Sequence, residues 1–268
     1  MLIVGELINT SRKAIKEAVE KKDAGYIKDI ARKQAEAGAH YIDVNCGTLV
    51  HNEPEVMAWL VGLVREAVDL PLCIDSPNPA ALEAGLELAA ERGQPMVNSI
   101  SAEAGRYSSV LPLVQKYKAR VVALLMDDSG MPDTAGQRIA IARRLVGALT
   151  QDGVPAEDIY IDPLVKPVST ADTAGLEVLE ALQFIKKEHP AVHTICGLSN
   201  VSYGLPSRPV LNQVFLVQTM TAGMDAYILD PLDRNLMGFL YASRALLGKD
   251  PYCADYLKAY RRGLYRKE

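Results

Sequence analysis

Short apolar, β-branched runs return along the chain at a nearly regular beat. They occupy residues 2–5, 41–45, 72–75, 96–98, 121–126, 159–162, 194–198 and 226–230. Each has the length and composition of a buried strand. Successive starts lie roughly 25 to 40 residues apart, room for one strand and one crossover helix. The intervening segments switch to helical periodicity. Ile27, Ile30, Ala31, Gln34 and Ala35 fall at i, i+3, i+4, i+7 and i+8, and Gly38 then ends the helix as a C-terminal cap does. Further helices are readable around residues 59–67, 79–90, 138–149 and 176–187. Eight β-then-α units without a low-complexity linker predict an α/β fold, a single parallel eight-stranded (β/α)8 (TIM) barrel domain spanning residues 1–268. An open doubly wound sheet would show fewer strands or a glycine-rich nucleotide fingerprint, and neither Gly-x-Gly-x-x-Gly nor a phosphate loop occurs.

A second regularity is chemical. Glu6, Asp43 with Asn45, Asp75, Asn98, Asp127, Asp162, Ser199 with Asn200, and Asp230 each close one of the apolar runs. In a barrel such ends converge on the catalytic face. Any one of them, taken alone, reads equally well as a loop or helix cap, because Asp, Asn and Ser satisfy backbone donors locally. Eight ends together, rich in Asp and Asn and poor in Lys, Arg and His, suit a neutral heterocycle held by hydrogen bonds better than a sugar phosphate.

Composition narrows the class. The chain is 49% hydrophobic, 23% charged and 6% aromatic, with a formal net charge of -4. That balance fits an aliphatic α/β core, and it disfavours non-specific attraction to nucleic acid or to an anionic membrane. The opening MLIVGEL reaches Glu6 too soon for a signal segment, and no apolar run approaches the length of a membrane span, so a cytoplasmic location is expected. Cys46, Cys73, Cys196 and Cys253 are widely spaced, as buried thiols in a reducing compartment would be. Neither they nor His40, His51, His189 and His193 have metal-ligand spacing, so no protein-bound metal is expected. Lys166, near a strand end, raises a Schiff-base alternative of the aldolase kind. The basic tail of Lys258, Arg261, Arg262, Arg266 and Lys267 reads as a solvated helix end or a contact for a partner chain.

Six of the strand ends also carry a likeness. GELIN at 5–9, YIDVN at 41–45, CIDS at 73–76, MVNS at 96–99, YIDPL at 160–164 and GLSNVS at 197–202 resemble, in order, the methyltetrahydrofolate:corrinoid protein methyltransferases. These are relatives of the folate domain of cobalamin-dependent methionine synthase and, more distantly, of dihydropteroate synthase. The likeness runs from about residue 1 to the region of Tyr252 and Cys253. It implies a one-carbon enzyme that exchanges a methyl group between N5 of tetrahydrofolate and the cobalt of cobalamin carried by a partner corrinoid protein, in a direction the sequence leaves open. By the same resemblance Asp75, Asn98 and Asp162 hold the pterin edge, and Asn200 is the mobile asparagine that contacts the methyl-bearing nitrogen. Ser199 and Arg208 frame the ring. Glu6, Asp43, Asn45 and Tyr203 stand behind these as candidates for supporting contacts. Many family members have Gln after the NVS motif, and this chain departs from them with Tyr203. The resemblance further implies a homodimer. Two other readings stay open: a dihydropteroate synthase-like condensation, which would need a basic cluster for a diphosphate leaving group, and a folate-binding protein without catalysis.

Overall fold

A computed structural model describes residues 1–265. All eight strands form: β1 (Leu2–Asn9), β2 (Tyr41–Asn45), β3 (Leu72–Asp75), β4 (Met96–Ala102), β5 (Arg120–Asp127), β6 (Ile159–Asp162), β7 (His193–Thr194) and β8 (Ala226–Leu229). They pair in parallel in chain order from β1 to β7, and β8 returns to the free side of β1. The ring closes where Ile228 N–H donates to the Cys196 carbonyl at 2.9 Å and Gly197 bridges to Ile228. The fold is a (β/α)8 barrel.

Strand lengths depart from expectation at both extremes. β1, β4 and β5 run further than their apolar cores. β1 shifts register against β2 between Gly5 and Ile8, and β4 shifts against β5 on either side of Ile100 and Ser101. Such bulges carry polar residues over the barrel rim. β7 is shorter than the run 194–198: Ile195 N–H still bonds the Ile161 carbonyl at 2.9 Å, but the chain bends at Gly197 into a 3-10 turn, Leu198–Ser202.

The helices are α1 (Lys13–Glu20), α2 (Ala24–Glu36), α3 (Glu53–Ala67), α4 (Pro79–Ala89), α5 (Ala104–Tyr117), α6 (Ala135–Gln151), α7 (Ala174–Glu188), α8 (Arg208–Ala222), α9 (Arg234–Leu246) and α10 (Ala254–Arg261). α2 buries Ile27, Ala31 and Gln34, and Gly38 follows it with φ +106°, a left-handed turn that glycine takes without strain. α6 starts from a capping box between Thr134 and Gln137. Periodicity did not single out α1, α5, α8, α9 or α10. Pro112 interrupts the α5 pattern, and α8 carries apolar residues on its exposed side as well, Val210 and Val214 among them.

Two apolar shells result. Outward strand residues such as Ile42, Ile74 and Val121 pack under the helices. Inside the ring one side chain from each strand or its immediate extension meets the others: Val4, Tyr41, Cys73, Met96, Val122, Tyr160, Ile195 and Ala226. This layer is a solid floor. Cys46, Cys73 and Cys196 are buried free thiols, while Cys253 is exposed. Among the described residues no helix is long and apolar enough to cross a membrane. Of the basic tail, Lys258 and Arg261 lie on α10 and Arg262 caps it; Arg266 and Lys267 lie outside the described residues.

Candidate active site

Side chains alternate across a strand, so the residue two places beyond each floor position also points inward, one layer nearer the C-terminal face. Those positions are Glu6, Asp43, Asp75, Asn98, Leu124, Asp162, Gly197 and Ile228, and all eight line a single cavity of about 620 Å³. Asn9, Ser11, Arg12, Ser99, Ser199, Asn200 and Arg208 complete its wall. The floor is apolar and the next layer polar, as a flat ring with hydrogen-bonding edges requires.

The carboxyls differ in how they are held. Asn45 Nδ2 donates to Asp75 Oδ2 at 2.8 Å, and its own Oδ1 accepts from Gly47 N–H at 3.0 Å, which fixes the amide's orientation. Burial pushes Asp75 up to about 6 against the pull of that bond. Asp43 is only 2% exposed and its Oδ1 meets no donor among the described residues; burial and then the charge of Asp75 hold it well above the usual carboxylate range. Asp162 Oδ1 accepts the Leu164 N–H at 2.8 Å, yet burial still raises it to about 7. Glu6 is raised by burial despite its ion pair with Arg12 at 2.6 Å. Near neutral pH Asp75 and Asp162 therefore stand close to their own midpoints. A ligand that brings N–H donors draws them into the ionised, hydrogen-bonded form.

Across the cavity, Asn200 sits on the 3-10 turn after β7, and its side-chain amide has no hydrogen bond among the described residues. It folds against Gly197: a Cβ there would lie 3.2 Å from Asn200 Nδ2. Arg208, the first residue of α8, ties the turn in place by donating to the Ser199 carbonyl at 2.7 Å and to Ser202 Oγ at 3.0 Å.

The structure thus gathers Asp75, Asn98, Asp162, Ser199, Asn200 and Arg208 around one space, with Glu6 and Asp43 lining it as well. Asn45 stands behind Asp75. Tyr203 lies outside the wall, 67% exposed at the mouth, its ring 6.0 Å from the Arg208 guanidinium. Two of the polar strand ends do not converge. Leu124 and Met126 take the inward register on β5, so Asp127 turns outward to Ser129 and Arg144. Asp230 caps the following turn through Leu232 N–H at 2.8 Å. Lys166 pairs with Asp133 at 2.6 Å in the loop after β6 and does not line the cavity, which removes the Schiff-base reading. The wall residues that sequence reasoning missed are Asn9, Ser11, Arg12 and Ser99, which follow bulges, and Leu124, Gly197 and Ile228, whose apolar or absent side chains look like floor. Among the described residues no group of three His, Cys, Asp or Glu side chains could hold a metal ion.

Comparison with known proteins agrees with this architecture. Residues 5–230 match the profile of the pterin binding enzymes. The chain is 39% identical over 265 residues to a methylcorrinoid:tetrahydrofolate methyltransferase of Eubacterium limosum, covering 98% of this chain and 97% of that one. It is 35% identical over 241 residues to the methionine synthase of Mycobacterium tuberculosis, covering 85% of this chain but only 20% of that much longer protein. In fold it is similar to a dihydropteroate synthase of Xanthomonas albilineans, with a TM-score of 0.69, 17% identity and 92% of both chains covered. A Yersinia pestis dihydropteroate synthase gives 0.70 at 13% identity, over 92% of this chain and 94% of that one. The chain belongs to the pterin-binding enzymes. Within them it falls among the methyltransferases, in the family of the Eubacterium limosum protein.

Proposed function

We propose that the cavity binds the pterin of a tetrahydrofolate and that the enzyme moves a methyl group between N5 of that folate and the cobalt of a corrinoid carried by a partner protein. The observation that carries this reading is the meeting of Asp75, Asn98, Asp162 and Asn200, from β3, β4, β6 and the turn after β7, around one cavity with an apolar floor. A pterin's aminopyrimidinone edge offers an exocyclic amine and a ring N–H as donors beside acceptors. Asp75 and Asp162 supply carboxylates to the donors, and Asn98 supplies an amide that can answer either kind. Asn200, on the turn after β7 and lining the same cavity, turns its amide toward N5 in this reading.

The chemistry asks for such a group. N5 of methyltetrahydrofolate is a poor leaving group until positive charge develops on it, and in the opposite direction the N5 lone pair attacks the methyl carbon and N5 must shed a proton. An uncharged amide serves both: its oxygen accepts from a protonated N5, and its N–H donates to the neutral nitrogen. The relative that covers nearly the whole chain is named for transfer from methylcorrinoid to tetrahydrofolate, and we take that as the working direction, the folate side of a demethylation system. The corrinoid protein docks over the C-terminal mouth, since the cobalt must approach N5 from there.

The dihydropteroate synthase-like alternative is less favoured by the wall itself. Its two arginines are already engaged, Arg12 by Glu6 and Arg208 by the Leu198–Ser202 turn, which leaves no basic cluster for a diphosphate. Mixing the protein with cob(I)alamin and methyltetrahydrofolate, and separately with methylcobalamin and tetrahydrofolate, tests the proposal through the corrinoid's visible spectrum. Conversion in both directions is expected. Folate binding without any spectral change would reduce the protein to a binder, and condensation of a pterin diphosphate with an arylamine would replace the reading.

A further inference from the structure

Arg138 is the largest fully buried side chain of the described residues, at 0% exposure. Its placement is unfavourable on two counts. It lies on the first turn of α6, where the helix dipole presents its positive end, and no carboxylate forms an ion pair with it among the described residues; Glu177 and Asp133 act on it only from a distance. Burying an arginine against both effects is destabilising unless its donors are fully used. They are used on backbone. Nε donates to the Pro163 carbonyl at 2.8 Å and Nη2 to that of Leu164 at 3.2 Å, while Nη1 reaches Asp133 at 3.1 Å and Thr134 at 3.3 Å.

The Pro163 carbonyl shares its planar peptide unit with the Leu164 N–H, and that N–H is the donor to Asp162 Oδ1. The chain Arg138 Nε–H, Pro163 C=O, Leu164 N–H, Asp162 carboxylate therefore runs through one rigid unit. Leu164 holds φ +59°, a left-handed conformation that a branched residue adopts only when its surroundings impose it. The Leu164 N–H faces Asp162 Oδ1 on one side of the peptide, and the guanidinium holds the Pro163 carbonyl on the other and the Leu164 carbonyl beyond the turn. A cation on the carbonyl also polarises the peptide and strengthens its N–H as a donor.

From this geometry we infer that Arg138 is a positioning residue for the folate site, orienting and charging Asp162 through the Pro163–Leu164 peptide. The inference rests on the pterin role proposed for Asp162. Without Arg138 the peptide plane is free to turn, Asp162 loses its hydrogen bond, and both its aim and its ionised form suffer.

Two variants test it, Arg138→Lys, which keeps the charge but not the planar fork, and Arg138→Gln, which keeps a neutral donor. The first measurement needs no folate: the Asp162 carboxyl is titrated by ¹³C NMR in wild type and variants. The midpoint is expected to rise by about half a pH unit or more. An unmoved midpoint in a folded variant overturns the inference, whatever happens to stability. The second measurement is the Kd for methyltetrahydrofolate, expected to rise about tenfold in Arg138→Lys, with Asp162→Asn adding little on top because both changes remove one interaction. Additive losses would overturn it. If the midpoint moves while Asp162→Asn alone leaves the Kd unchanged, the relay stands and the pterin role of Asp162 falls.

Discussion

Asp162, assigned to the pterin in the proposed function, shows how a cavity carboxyl is at odds with the fold that presents it. Its carboxyl is raised by burial from an ordinary 3.8 to about 7, so the native protein holds this proton more tightly than the unfolded chain does. The stability this contributes is complete below the unfolded value and is lost as pH rises through about 7, above which the folded protein must keep a charge in a desolvated wall. Asp162→Asn is therefore expected to stabilise the folate-free enzyme at pH 8, raising Tm by roughly 3–6 °C, with a clearly smaller rise at pH 5, part-way through the window between the unfolded and folded values. Calorimetry at both pH values checks the sign. Binding runs the opposite way: pterin donors favour the ionised carboxylates, so the wild-type Kd for folate should climb as pH falls from 8 towards 5, and Asp162→Asn should flatten that slope. Asp75 and Asn200 separate holding from reacting. Asp75→Ala is expected to raise the folate Kd at least about tenfold by leaving a ligand donor unpaired. Asn200→Ala should instead lower kcat by about 100- to 1,000-fold with a much smaller change in Kd. Equal losses in kcat and binding for Asn200→Ala would mean that it merely holds the ring.

The turn after β7 is the element on which that contrast depends. Gly197 has φ -72°, which any residue accepts, so its lack of a side chain is a matter of space for the Asn200 amide. Gly197→Ala should push Asn200 aside by a few tenths of an ångström and slow kcat by about tenfold, with folate Kd within about twofold. Because alanine restricts the unfolded chain, Tm should hold or rise slightly. Loss of folding would place the role of Gly197 in the backbone. None of this could be read from the strand pattern, which ran straight through Gly197. The period-2 alternation did carry the polar layer, since Glu6, Asp43, Asp75, Asn98 and Asp162 stand two places beyond their floor residues. The same count, made from Val122, would have turned Asp127 outward. Arg12 and Ser99 were illegible because bulges bring them to the rim, and a bulge is set by pairing between strands distant in sequence. Arg138 left a trace, for it shares the apolar stripe of α6 with Ile141, Ala142 and Leu145. A lone cation on such a stripe reads as a helix boundary until its partners are seen.

At the scale of the whole molecule the barrel separates two tasks by height. On the proposed function the floor and the layer above it select the pterin, and the mouth meets whatever brings the corrinoid. Tyr203 belongs to the mouth. Its ring is 67% exposed beside Arg208, and its main-chain carbonyl accepts from Ser169 Oγ at 2.8 Å, which anchors the β7 loop to the loop after β6. The backbone there is held while the side chain is left free, an arrangement suited to contact with a docked protein, where a rigid aromatic loses little entropy on burial. Tyr203→Ala removes the ring and keeps the anchoring carbonyl. It is expected to raise KM for the corrinoid protein by about tenfold, one well-packed aromatic being worth more than 1 kcal/mol at the centre of an interface. The rate with free cobalamin and the folate Kd should stay at their wild-type values, because neither reactant needs the rim. Running the same variant against both corrinoid sources gives the answer as a ratio. A ratio unchanged from wild type would move the docking surface away from Tyr203, and an equal loss with free cobalamin would place its ring in contact with the small substrates instead.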